Sequence, residues 1–291
     1  MLTRLALFFF SLLLLPLLAR WLADALPEWT TFPLMPLAPL ALTLVAAILL
    51  LWLADTWQAR NGGHSLLRLQ RAYFLALAVA GAFLGWLLAW LNLFAESWLL
   101  PASHDFTSSL LQTLIFALLA PLVLLLRTAF VAQAGLLKLL TGMPALRFIS
   151  RHAAAHTLLT LALLGLTVGS VWPQSGFWLL WLAPLALLVA LQLLWHESTV
   201  FDGIPHGDWG RVLGGALSGL VAGNLLVFTF ELGGGTLIVQ LPQAGFAQLG
   251  YALLGLLCLQ LGDVVAEFWR GKSRGEVFKR KPFPISITVK K

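Results

Sequence analysis

Charge is scarce in this chain. Asp, Glu, Lys and Arg make up 10% of its 291 residues, against about 25% in an ordinary soluble domain. Cysteine is scarcer still. Cys258 stands alone inside an apolar run, which excludes an intrachain disulfide and a cysteine-rich metal site and reads as a buried structural thiol. Complete reaction motifs are missing too. His196-Glu197-Ser198-Thr199 is not the start of a zinc-protease HExxH, because Val200 occupies the fifth position. No ExxH carboxylate motif and no three-box histidine pattern occurs. No histidine follows His206, so Ser218 lacks the later-helix histidine that a rhomboid-type protease needs. No repeat of 20–50 residues and no low-complexity segment is present.

What the chain has in abundance is apolar length. Hydrophobic types reach 60% and the mean hydropathy is +0.90, which places the chain among polytopic membrane proteins. A helix needs about 20 apolar residues to cross the hydrocarbon core. Eight stretches qualify: 3–25, 34–55, 72–96, 108–128, 154–172, 177–195, 211–231 and 245–267. The first is read as a retained membrane helix rather than a cleaved signal, because apolar residues continue past Arg20. The fifth and sixth are separated only by Pro173–Gly176, PQSG, which predicts a tight hairpin. Backbone groups in lipid must be satisfied within the segment, and the runs are too long and uniform for barrel strands. The predicted fold is an all-α polytopic transmembrane bundle of about eight spans over residues 1–267. A basic tail of residues 268–291 follows.

The basic residues orient the bundle. With the N-terminus in the cytoplasm, 17 of the 18 Lys and Arg residues fall on the inner side and only Arg20 falls outside. This positive-inside pattern predicts cytoplasmic N- and C-termini in a bacterial-type cytoplasmic (inner) membrane. It also explains a pI near 10.0 without nucleic acid, since the basic residues sit between apolar runs. Residues 131–151 mix leucines with Lys138, Arg147 and Arg151. They suit either an amphipathic segment on the inner surface or a connector with its leucines on the bundle.

One inner loop concentrates ionisable groups. WHESTVFDGIPHGDWGR, Trp195 to Arg211, holds Glu197, Asp202, Asp208, His196 and His206. Residues Arg151–His156 read RHAAAH, which places His152 and His156 four apart on one helical face at the same end of the bundle. Glu197, Asp202, His206 and Asp208 are therefore the candidate catalytic residues. His152, His156, His196 and His206 are weak candidates for a divalent metal. The bland reading is a solvated polar loop, with acids balancing nearby arginines and a turn at Asp202-Gly203. A third reading is a docking surface for a protein partner.

Gly215, Gly219 and Gly223 recur every four residues in GGALSGLVAGN. Such a GxxxG strip lets two membrane helices approach closely. The helix interiors hold few polar groups near mid-depth, chiefly Asn224 and Thr43, which disfavours an ion-coupled carrier. Three functional classes remain. The leading one is a non-catalytic membrane subunit, scaffold or assembly partner of a larger complex, with membrane lipids and a further protein as its partners. The second is an interfacial enzyme acting on a lipid or lipid-linked substrate. The third is a transporter or flippase for an apolar substrate.

Overall fold

The computed structural model describes residues 37–60, 65–99, 105–131, 143–146 and 150–269. Among the described residues there are eight α-helices: α1 (Ala38–Arg60), α2 (Leu66–Leu69), α3 (Arg71–Ala95), α4 (Phe106–Val131), α5 (Arg151–Val171), α6 (Pro173–Leu194), α7 (Gly210–Leu232) and α8 (Ala244–Trp269). All but α2 are long and apolar enough to cross a membrane. These seven helices support a multi-pass integral membrane protein. The predicted span at 3–25 and nearly all of the 268–291 tail lie outside the described residues, as does most of the 131–151 segment.

Helix α4 is the centre of the bundle. It packs against α1, α3, α7 and α8, and Leu119 to Val123, Leu125 and Leu126 are buried along it. Pro121 interrupts its backbone ladder. A membrane helix tolerates this where neighbouring helices cover the freed carbonyl, and Pro121 is itself buried. Leu50, Leu77, Val189 and Leu257 complete the core from the surrounding helices.

Helices α5 and α6 pair along their whole length at the edge of the bundle. Here the structure corrects the sequence reading. Pro173–Gly176 is not the loop between them but the first turn of α6, and Trp172 alone makes the connection. Proline suits a first helical position because its missing N–H has no partner to lose there. Gly176 then rests on Gly169, with 3.2 Å between a Cβ built on Gly176 and the Gly169 Cα. Gly165 meets the backbone of Leu179 in the same way. Small residues let the two backbones close up, and this replaces the hydrophobic drive that lipid does not supply.

The connections gather at the two ends of the bundle. At one end, β1 (Trp98–Leu99) pairs antiparallel with β2 (Ile238–Val239), Trp98 opposite Val239. Asn92 supports the ribbon by donating to the Trp98 carbonyl at 2.6 Å. At the other end, buried Asp55 of α1 organises the turn into α3. Its carboxylate accepts from the Ser65 hydroxyl and from the backbone N–H groups of Leu66 and Leu67 at the start of α2. Helix α1 thus runs past its apolar stretch to Arg60, because its one acid is consumed inside the fold. The α6–α7 loop, and the ends of α4, α5 and α8, lie at this same end.

Candidate functional site

The α6–α7 loop is built by its own acids. The Asp202 carboxylate accepts from the Thr199 N–H at 2.9 Å and from the Thr199 hydroxyl at 2.8 Å. This closes a turn over Thr199–Asp202. Ile204–His206 then forms a single 3-10 turn, ended by Gly207 at φ +79°. That left-handed backbone costs glycine little. A Cβ there would also sit 2.6 Å from the Met143 carbonyl oxygen. Asp208 accepts from the Gly210 N–H at 2.8 Å, so it satisfies a free donor at the start of α7.

The loop is also bolted to its surroundings. Ser198 donates from both N–H and hydroxyl to Glu267 of α8, at 3.2 and 2.7 Å. The Val200 N–H donates to the buried Gln260 side chain at 2.8 Å. Trp209 donates its indole N–H to the Pro144 carbonyl, and the Leu146 N–H donates to the Ile204 carbonyl. The loop is therefore a rigid cap over the ends of α6 and α8, with Val200 and Thr199 fully buried beneath it.

The histidines divide. His152, in the first turn of α5 behind the Ser150 cap, meets His196 edge to face, with ring centroids 5.6 Å apart. His196 reaches it from a left-handed backbone, φ 58°. His156 instead turns back along its own helix, its Nδ1 lying 2.7 Å from the His152 carbonyl. His206 is exposed on the 3-10 turn and forms no side-chain hydrogen bond among the described residues. Arg151 lies between the two groups, 3.8 Å from Asp202 and 3.5 Å from the Glu197 carbonyl oxygen. Glu197 is half-buried, and its N–H donates to the Gln192 carbonyl. Among the described residues, no group of three or more His, Cys, Asp or Glu side chains is placed to hold a metal ion.

Several polar groups escaped the sequence reading of apolar interiors. Gln192 and Gln260 have no solvent exposure. Among the described residues, both side-chain polar atoms of Gln192 are without partners, as is Nε2 of Gln260. Each was visible as a lone amide in a leucine-rich run, LVALQLLW and LLCLQLGD. Arg211 donates through Nη2 to both oxygens of Asp263, at 2.6 and 2.5 Å, with both side chains mostly covered.

The glycine strip of α7 faces α8. A Cβ on Gly219 would collide with the Tyr251 carbonyl oxygen and lie 2.6 Å from the Gly255 Cα. One on Gly215 would meet Leu259, and one on Gly223 would meet the Tyr251 ring. Gly255 answers from α8, where a Cβ would strike the Gly215 carbonyl oxygen. No family model, no curated protein and no solved structure matches this chain.

Proposed function

We propose that this chain is a non-catalytic subunit, scaffold or assembly partner of a larger complex in a bacterial-type cytoplasmic membrane, with the α6–α7 loop on the cytoplasmic side. One observation carries the reading. Two of the three acids that first suggest chemistry are occupied in construction: Asp202 closes a turn and Asp208 satisfies the start of α7, while Glu267 of α8 anchors the loop at Ser198. A catalytic acid or base must instead reach a proton on substrate. A rigid cap with exposed His206 at its crest suits recognition by a partner. Purification in mild detergent should yield a second polypeptide at fixed stoichiometry, lost when Glu197, Asp202, His206 and Asp208 are changed together to Ala. A partner-free preparation that turns over a lipid substrate, with activity lost in that variant, would overturn the reading.

The second reading, an interfacial lipid enzyme, draws on the exposed His152–His196 pair. Two imidazoles in contact offer a pair of groups able to give and accept protons. His152→Gln would then abolish turnover while leaving abundance near normal.

A further inference from the structure

Two arginines from different helices meet beside one carboxylate at the loop end of the bundle. Arg211 stands in the first turn of α7 and holds Asp263 of α8. Arg127 arrives from α4. Its stem crosses α7 one turn beyond Arg211, where a Cβ on Gly214 would sit 3.4 Å from the Arg127 Cγ. The Arg127 stem thus lies in van der Waals range of this turn of α7.

The two guanidinium groups are poorly supplied with acceptors. Arg127 is half-buried, and among the described residues it forms no hydrogen bond or ion pair. Its Nε–H is shut off from solvent without a partner, and so is that of Arg211. Each guanidinium offers five N–H donors in a planar fork. Here Asp263 accepts from Arg211 alone, and the Arg127 fork stands within electrostatic reach of that carboxylate without bonding to it. Asp208 lies within electrostatic reach of Arg127, but it accepts from Gly210. It softens the positive field without satisfying the arginine donors. Two like charges held together half out of water, with donors unspent, are costly unless an acceptor-rich anion joins them.

Depth narrows the choice of anion. Arg127 lies four residues before the end of α4, roughly 6 Å along the axis at 1.5 Å per residue. That is within reach of headgroup level for an arginine side chain. Basic pockets between membrane helices at this level take lipid phosphates, and the guanidinium fork matches phosphate oxygens two at a time.

We propose that Arg127 and Arg211 form a binding site for a phosphate anion between α4, α7 and α8, carried by a lipid headgroup or free in solution. The site is independent of the subunit reading above.

The test uses the full chain in mild detergent, with phosphatidylglycerol, zwitterionic phosphatidylcholine and inorganic phosphate as separate probes. Native mass spectrometry counts bound lipid, and a thermal midpoint reports stabilisation. Phosphatidylglycerol should be retained one per chain on the parent and on the Arg60→Gln control. Arg127→Gln should bind it at least about tenfold more weakly, as expected for loss of hydrogen bonds to a charged group. Stabilisation of the parent by phosphatidylglycerol alone identifies a lipid source. Stabilisation by inorganic phosphate as well, lost in the same variant, identifies a soluble one. If Arg127→Gln does not fold, Arg127→Lys keeps the charge and removes the fork, and should still weaken retention several-fold. A parent that binds neither probe, or variants that bind as the parent does, would overturn the proposal.

Discussion

Asn224 of α7 and Gln248 of α8 hold each other by two reciprocal amide hydrogen bonds. Asn224 donates at 2.7 Å and Gln248 donates back at 2.9 Å. Asn224 is on the exposed side of α7 and also donates to the Leu220 carbonyl. Two helices already joined by glycines are thus locked in register by an amide clasp. In hydrocarbon, an amide that loses its partner has no water to replace it.

Asn224→Leu should therefore destabilise the bundle by about 0.6–2 kcal/mol, the range for interhelical polar contacts in membranes. The double change Asn224→Leu, Gln248→Leu should recover part of that loss, because no orphaned amide remains. Unfolding in detergent by added denaturant measures both. A double variant that is the sum of its singles would mean the clasp carries no coupling.

Gly219→Leu should be far more damaging than Leu220→Ala. The first drives a side chain into the α8 backbone at Tyr251 and Gly255, where overpacking costs about 1–3 kcal/mol or more. The second trims a partly exposed side chain. Folded yield and thermal midpoint should separate the two. Equal tolerance would place the glycine strip away from α8.

Within the loop, Asp202→Ala should cost about 1–2 kcal/mol, since it frees two Thr199 donors in a partly covered place. His206→Ala, on an exposed side chain without hydrogen bonds, should stay within about 0.5 kcal/mol. Thermal unfolding of the two variants side by side distinguishes a constructed cap from a solvated loop. If His206→Ala preserves the fold but releases a co-purifying protein, the recognition reading gains direct support.

The orientation is testable on its own. A reporter active only in the cytoplasm should work when fused after Lys291 and fail when fused after Gly235 in the α7–α8 connector. The opposite pattern would reverse every assignment of side.

The helices were legible because lipid imposes a length rule that sequence displays openly. All seven described spans fall within a few residues of the apolar runs, and they overshoot at ends where polar residues are absorbed by the fold, as Asp55 is. The α5–α6 hairpin is legible but its turning residue is not, because a Pro-Gln-Ser-Gly string suits both a loop and a first helical turn. What decided it was Gly176 meeting Gly169, a contact between two segments. The site was less legible for the same reason. Composition marked the α6–α7 loop as dense in ionisable groups, but not that Asp202 and Asp208 spend their oxygens on nearby backbone. The meeting of Arg127 with Arg211 depends on how α4 crosses α7, and no local pattern records that crossing.

The β1–β2 ribbon imposes an order in time. Trp98 and Val239 pair across nearly half the length of the chain. At synthesis rates of 5–20 residues per second, the first strand waits on the order of ten seconds for its partner to be made. Until then its edge is open, and α3 and α4 have no tie to the α7–α8 connector on that face. The ribbon is a late closure, and its formation marks the moment when every described helix has been synthesised up to the start of α8.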